Sequence, residues 1–287
     1  MAQPSARDRG GAIDPRTDAP NLAGCTLLAI FAHPDDESLA CGGTLARAAD
    51  AGATIVLLCA TRGERGSISD PALVPDGDLG RVRTGELQEA AAVLGIANVT
   101  VLDHPDGDLR WADVPELHDD IVDAIRRWHP DAIVTFDEDG LYWHLDHVAV
   151  HERTVAAVQS LDADAPPVYF VTMPKDAMRG LAAAAHAKGG CPPESAFWGI
   201  APEAFGYDAA APTVIVDVRP WIQRKLAALR CHRTQMAGEN PISWIDEADA
   251  AQWLGLERFR RAPSPSTASD ILEQLGESQK SKVKSEK

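Results

Sequence analysis

The segment Ala32-His33-Pro34-Asp35-Asp36-Glu37 places an imidazole and two carboxylates within four residues, directly after the apolar run Cys25–Phe31. Residues of these types at the end of a buried strand supply metal ligands and general bases. More than a hundred residues later, His144-Leu145-Asp146-His147 brackets another carboxylate with two imidazoles where a helical segment begins. Together the clusters point to a metal-assisted hydrolase. Taken singly, each has a plainer reading. Asp35 or Asp36 suits the N-cap of the following helix, and His144 and His147 suit a solvent-facing helix start. By spacing alone, His147 and His151 also lie one turn apart, where a helix presents two ligands together.

Such clusters need a scaffold to bring them together. Apolar, β-rich runs alternate with segments of helical period: Thr26–Ala32, Ser38–Ala51, Thr54–Thr61, Arg81–Leu94, Asn98–Asp103, Val114–Trp128, Ala132–Asp137, Asp146–Leu161, Val168–Thr172, Thr213–Val218 and Pro220–Gln235. Near-continuous Val, Ile and Leu strands separated by helices predict a mostly parallel sheet with helices on both faces, a Rossmann-like α/β fold. Ligands bind beyond the carboxyl ends of strands in such sheets. Four polar groups fall there: His33–Glu37, Arg62–Gly66, His104–Gly107 and Asp137–His147. Gly42-Gly43 lacks the spacing of a dinucleotide fingerprint and reads as close helix packing. Asp137-Glu138-Asp139-Gly140 looks like a fragment of a calcium loop without its later ligands, and is expected to shape the approach to His144.

A chain of 287 residues suffices for one large domain, expected over 25–261 between disordered segments at 1–24 and 262–287. In the last segment, Ile271–Leu275 has the apolar spacing of a short helix. Between Met173 and Pro212 the alternation gives way to an Ala-rich helical piece, a Gly/Pro stretch and several aromatics, which reads as an insertion or lid or as a connecting loop. Five scattered cysteines without a C-x-x-C pair argue against a disulfide framework or a thiolate zinc site. Met1–Gly24 lacks the apolar core of a signal peptide, and no stretch approaches a membrane span, so a cytoplasmic location is expected. A net charge of −16 excludes nucleic acid and anionic membranes as general partners. The expected partner is a small-molecule substrate, with a homo-oligomer left open.

Over about Leu27 to Gln235 the chain resembles the PIG-L/LmbE-type zinc-dependent N-deacetylases, which remove acetyl groups from N-acetylglucosamine-containing molecules. The intact Ala-His-Pro-Asp-Asp-Glu motif at 32–37 carries most of the resemblance. Thr61-Arg62-Gly63-Glu64, Pro105-Asp106-Gly107, the His-x-Asp-His element at 144–147 and Leu229–Gln235 with His232 and Gln235 support it. The resemblance implies that His33, Asp36 and His147 hold Zn2+, with Asp35 as general base and His144 as acid or oxyanion partner. Two imidazoles and one carboxylate leave coordination positions open for catalysis, and suit Fe2+ or another divalent ion as well as zinc. His144, held by Asp146 or another acceptor, is expected to be cationic, to stabilise the oxyanion and to protonate the leaving amine. Tyr142 is a second oxyanion donor. Arg62 suits substrate hydroxyls or a phosphate, and Asp106 suits sugar hydroxyls. The chain departs from the family where Leu145 replaces a usual proline and Trp143 a usual small residue, both of which bear on pocket shape.

The resulting expectation is a metal-dependent hydrolase that removes an N-acetyl group from an N-acetylglucosamine-type sugar or its conjugate. One alternative is an amidase for a larger acyl group, as in the mycothiol-conjugate amidases of the same family, with Trp143 and Phe197-Trp198 as candidate walls. A non-catalytic sugar-binding module is another, against which the intact Asp35 and His144 speak. A nicotinamide oxidoreductase fails for want of the glycine fingerprint.

Overall fold

Thr26–Phe31 forms β1, whose last five residues are all buried, because a central strand covered by helices has no solvent side. The computed structural model describes residues 20–68, 70–111, 114–161, 165–190, 196–236, 240–263 and 271–276. After β1 come α1 (Asp36–Asp50), β2 (Thr54–Thr61), α2 (Leu79–Leu94), β3 (Asn98–His104), α3 (Val114–Trp128) and β4 (Ala132–Phe136). A short α4 (Gly140–Trp143) leads into α5 (Leu145–Gln159), β5 (Val168–Thr172) and α6 (Ala177–Ala187). The chain continues through β6 (Val214–Asp217), α7 (Ile222–Cys231), α8 (Arg233–Met236), α9 (Glu247–Trp253) and β7 (Leu256–Arg261).

The strands form one sheet in the order β3-β2-β1-β4-β5-β7-β6. Strands β1 to β5 run parallel, which agrees with the α/β arrangement expected from the sequence. From β1 the sheet grows one way through β2 and β3, then the chain crosses back and β4 and β5 extend it the other way. A crevice opens beyond the strand ends where this order reverses. His33–Asp36 leave β1 and Asp137–His147 leave β4 on its two sides.

The strand missed by periodicity is β7, which runs antiparallel to both β5 and β6. Its sequence, Leu-Glu-Arg-Phe-Arg-Arg, carries four charges and hides its strand character. Buried Glu257 is nonetheless fully satisfied. It takes Lys225 Nζ at 2.5 Å and the backbone N–H groups of Gly43 and Thr44 at 2.9 and 2.7 Å. Those two amides are drawn out of α1, which is interrupted at Cys41. Gly43 is required here, since a Cβ would lie 2.5 Å from Val218.

In the 173–212 segment, α6 packs on α9 so closely that a Cβ at Gly180 would stand 2.4 Å from the Trp253 ring. The rest of that segment includes a paired turn at Phe197 and Ile200. Most of the termini expected to be unpacked, residues 1–19, 264–270 and 277–287, lies outside the described residues. The described remainder departs from that expectation: Leu22, Ile271, Leu272 and Leu275 are buried, because apolar side chains at these spacings find the core. Cys25, Cys41, Cys59 and Cys231 are free; Cys191 lies outside the described residues. Among the described residues no helix is long and apolar enough to cross a membrane.

Candidate active site

His33 follows β1 and precedes Pro34, whose ring holds its neighbour in extended backbone. Asp36 begins α1 and turns its carboxylate back to accept the His33 N–H at 2.7 Å. On the facing element, His147 lies in the first turn of α5 with its ring stacked on Phe136 at 4.0 Å. Three donor atoms meet between these elements. His33 Nδ1 lies 3.2 Å from His147 Nε2 and 3.4 Å from Asp36 Oδ2, and His147 Nε2 lies 3.2 Å from Asp36 Oδ1.

The outer nitrogens fix the tautomers of both rings. His147 Nδ1 faces the Gly140 carbonyl at 3.0 Å. A carbonyl can only accept, so the proton sits on Nδ1 and, in the neutral ring, Nε2 presents a lone pair. His33 Nε2 faces Asp146 and Asp106, each at 3.1 Å, so its Nδ1 likewise presents a lone pair. With both rings neutral, two imidazole lone pairs and a carboxylate converge on one point, an arrangement whose repulsion is relieved by a bound cation or by a proton taken up at His33. A tetrahedral ion with ligands at about 2.1 Å separates its donors by roughly 3.4 Å, so the spacing fits a divalent metal. The residues present fit the metal that the family pattern implies. His33 answers the same crowding of charge: burial pulls its pKa down, but contacts with Asp106, Asp146 and Asp36 carry it well above the usual value.

Asp35 stands between His33 and Asp36 at φ 132°, a conformation that side-chain-bearing residues rarely adopt. Glu37 holds the turn by accepting the Asp35 N–H at 3.1 Å, and is itself fixed by Ser38 Oγ at 2.5 Å and His232 Nε2 at 3.1 Å. The Asp35 carboxylate meets Arg83 Nη2 at 3.1 Å. Burial first, and Asp36 second, push its pKa up to about 6 against the restraint of Arg83. Arg83 also donates to the carbonyls of Gly63 at 2.9 Å and Pro34 at 2.7 Å. A Cβ on Gly63 or Gly66 would come within 2.4 or 2.5 Å of its Nη1. The glycines of Arg62–Gly66 thus make room for a guanidinium twenty residues away.

His144 differs from its expected role. Its Nδ1 accepts the Asp146 backbone N–H at 3.2 Å, which leaves Nε2–H as the donor of a neutral ring. Burial, reinforced by the neighbouring His147 and His33, lowers its pKa to about 4, so it is neutral at pH 7 rather than cationic. Nor does the Asp146 side chain hold it. That carboxylate accepts from His33, from Gly107 N–H at 2.7 Å and from Leu109 N–H at 3.1 Å. Tyr142 packs against His147 and His144 with ring centroids at 5.2 and 5.7 Å. Burial, with Asp36 and Asp35 nearby, keeps its phenol protonated by raising its pKa well above the usual value. It lies between Leu141 and Trp143, which both have positive φ.

His33, Asp35, Asp36, Tyr142 and His144 line a cavity of about 310 Å³ together with Leu39, Arg65, Gly66, Ser67, Arg83, Asp106, Gly107, Trp198, Ile200 and Gln235, with His147 buried behind them. Asp106 borders the cavity, but its oxygens are engaged by His33 and by the Arg65 backbone N–H at 2.7 Å. Although burial pushes its pKa up, those contacts hold it down at about 2. Arg62 is not part of the lining; its guanidinium turns to Asp103 at 2.8 Å, and Arg65 takes the place expected of it. His151 Nδ1 donates to the Phe136 carbonyl at 2.9 Å, away from the donor triangle. Asp137 pairs with Arg260 of β7, with Nε at 2.8 Å.

The family pattern described as PIG-L, GlcNAc-PI de-N-acetylase, matches residues 28–158. A 1D-myo-inositol 2-acetamido-2-deoxy-α-D-glucopyranoside deacetylase from Thermobispora bispora is 32% identical over 272 residues, covering 83% of this chain and 88% of the relative. The chain belongs to the PIG-L family. Among solved structures, the N,N′-diacetylchitobiose deacetylase of Pyrococcus horikoshii shares the fold at a TM-score of 0.57 and 22% identity, over 84% of this chain and 87% of that one. A 4-carboxy-2-hydroxymuconate hydratase from Pseudomonas putida matches with the same score and identity, over 85% and 99%. This fold therefore hosts different chemistries, and the activity has to be argued from the side chains at its rim. Of those, Arg65 belongs to the Arg62–Gly66 group that the sequence places at the rim, with Arg62 expected in its role, and Arg83 has no sequence signal besides the glycines at 63 and 66.

Proposed function

We propose that this PIG-L protein is a metal-dependent N-deacetylase acting on an N-acetylglucosamine-type sugar conjugate. The observation that carries this reading is the convergence of the His33, Asp36 and His147 lone pairs beside a carboxylate whose pKa is raised to about 6. Zinc or ferrous iron suits this donor set, and Asp106 and Asp146 orient His33 from behind, as outer partners of metal-bound histidines do. When bound, the ion supplies Lewis-acid polarisation of the amide carbonyl and activation of the attacking water.

The remaining work falls to the protein's own groups. Asp35 accepts the proton of the attacking water at its carboxylate. Because its pKa lies near neutrality, it can return that proton to the leaving amine nitrogen, which neutral His144 cannot supply. His144 Nε2–H and the Tyr142 hydroxyl donate to the oxygen that gains negative charge. The polar wall of Arg65, Gly66, Ser67 and Gln235 faces the sugar hydroxyls.

The test is acetate release from N-acetylglucosaminyl-inositol and N,N′-diacetylchitobiose, before and after chelation and after zinc or ferrous iron is restored. Chelator-sensitive, metal-restored release supports the reading. Absence of release from the metal-loaded protein on both compounds overturns it.

A further inference from the structure

Eight large apolar side chains are exposed among the described residues, and five of them, Ile68, Trp111, Trp143, Leu145 and Tyr207, lie on the segments around the cavity. Ser67, Gly107 and His144 line it; Ile68 follows the first, Trp111 ends the loop begun by the second, and Trp143 and Leu145 flank the third. Tyr207 follows Gly206, whose N–H donates to the Leu141 carbonyl at 2.8 Å. Exposed apolar residues scattered singly need no explanation, whereas a group of them around one opening points to something that binds there.

Trp143 is the member held most firmly. It stands between Tyr142 and His144, which both line the cavity, so its backbone runs along the rim. Its φ of 63° is one that a bulky residue adopts only where its surroundings fix it. Two contacts do so: its backbone N–H donates to the Asp139 carbonyl at 2.6 Å, and its indole N–H donates to Asp208 Oδ2 at 3.2 Å. The ring is thereby tied to the 205–208 stretch, whose Phe205 packs on Tyr142 at 4.6 Å. Trp143 remains 54% exposed. With its N–H engaged, what the indole offers a ligand is a ring face, already oriented, so that stacking on it costs little side-chain freedom.

The cavity, at about 310 Å³, sits at the small end of the roughly 300–1,000 Å³ typical of ligand sites. It takes one acetamido sugar beside the donor triangle, and whatever that sugar carries lies at the rim. We infer that Trp143 is a substrate-binding, specificity-determining residue, whose indole face stacks on a saturated ring, a cyclitol or a second sugar, borne by the amino sugar as its aglycone. Such a ring has an apolar C–H face for the indole and a hydroxyl edge that stays in water. The charged groups among the exposed aromatics favour this occupant over a lipid surface, which would have to bury them. Asp208 holds Trp143, Lys175 Nζ lies 4.6 Å from the Tyr207 ring centroid, and Arg65 pairs with Asp108 at 2.5 Å. This inference rests on the deacetylase reading for its substrate class.

The experiment compares zinc-loaded wild type, Trp143→Phe and Trp143→Ala by kcat/KM on N-acetylglucosaminyl-inositol and on N,N′-diacetylchitobiose, each divided by the value on N-acetylglucosamine, which has no aglycone. Effects of the substitution on the chemical step cancel in that ratio. Trp143→Ala should lower it about five- to tenfold for one conjugate or both, the loss of one stacked ring, and the conjugate affected tells a cyclitol from a sugar. Trp143→Phe, which keeps a smaller ring, should lower it less. Calorimetric affinities of the deacetylated conjugates relative to glucosamine should fall in parallel. Unchanged ratios for both conjugates in Trp143→Ala overturn the inference, even if the enzyme deacetylates normally. If wild type releases no acetate from any of the three compounds, the deacetylase reading fails and the affinities decide. A preference for a conjugated product that falls in Trp143→Ala then supports the stacking face, and no such preference overturns it.

Discussion

Replacing Gly66 by alanine should damage the protein through Arg83, and the size of the effect follows from the geometry. Gly66 is not among the residues with positive φ, so alanine meets no backbone penalty there. Its Cβ would stand 2.5 Å from Arg83 Nη1, and the guanidinium must retreat by about 1 Å to reach ordinary contact. The end of an arginine is usually free to move. This one is 5% exposed and fixed by Gly63 O, Pro34 O and Asp35. Hydrogen bonds from a charged donor contribute about 1.5–3 kcal/mol each, so weakening two of them should cost roughly 2–4 kcal/mol. Arg83→Lys should cost a similar amount, because one ammonium cannot serve three fixed acceptors. It also removes the atom that the added methyl group of Gly66→Ala would strike. The double variant should then be little worse than Arg83→Lys, a departure from additivity of about 2 kcal/mol. Urea unfolding of the four proteins measures this, and kcat for acetate release should follow the same pattern because Arg83 also holds Asp35. Additivity within about 0.5 kcal/mol would refute the claim that Gly66 exists to admit Arg83.

Other expectations follow from the same contacts. Asp35→Asn should keep bound zinc and lose roughly 10²- to 10⁴-fold in kcat, whereas His147→Ala should lose the metal; equal metal content in the two variants would refute this division of roles. Arg260→Leu should strand the Asp137 carboxylate, which is 2% exposed, costing roughly 3 kcal/mol. Because the Asp137 turn carries Gly140, whose carbonyl holds His147, zinc affinity should also fall about tenfold; an unchanged affinity by competition with a chelator dye would disconnect β7 from the site. His232 gives a pH dependence. Burial pulls its pKa down, but Glu37 and Asp35 carry it above the ordinary 6.5. Its stabilisation is thus fully present below about pH 6.5 and is lost as pH rises through the higher folded value. Thermal melts of metal-free protein should show that decline flattened in His232→Asn, and identical slopes would exclude the pair as its source.

What the sequence disclosed and what it hid divide along a physical line. β1, β2 and β4 are legible because strands buried on both faces must be apolar throughout. The clusters at 33–37 and 144–147 are legible because reactive groups collect at the ends of such strands. The supporting contacts are not, since they join residues far apart in the chain. Arg83 sits on α2, where a charged residue reads as solvated, yet it is buried. Arg62 and Arg65 are three residues apart in one turn, and only the fold decides that one meets Asp103 while the other borders the cavity. The sequence cannot show the protonation of His144 for the same reason: burial and the neighbours His147 and His33, which lower its pKa, are spatial, and a backbone N–H that the fold places at Nδ1 favours one tautomer. β7 failed the test of apolar periodicity because it carries charges, of which Glu257 and Arg260 are satisfied by partners on α1, α7 and the Asp137 turn and Arg261 by Glu273.

Those partners also say why the last third of the chain belongs to the site. The region matched by the family pattern, 28–158, contains the three proposed metal donors, Asp35 and their nearest partners Arg83, Asp106, Asp146 and Gly140, but not all of what holds them still. Glu37 is steadied by His232 at 3.1 Å, and the Ser67 carbonyl is tied to Gln235 at 3.0 Å. The turn before His147 is pinned by Arg260, and the far wall of the cavity is Trp198. A strained Asp35 backbone persists only where its surroundings over-determine it. The 28–158 region thus carries the candidate site with its nearest partners, and the residues beyond it add rigidity that keeps the three donor atoms aimed at one point.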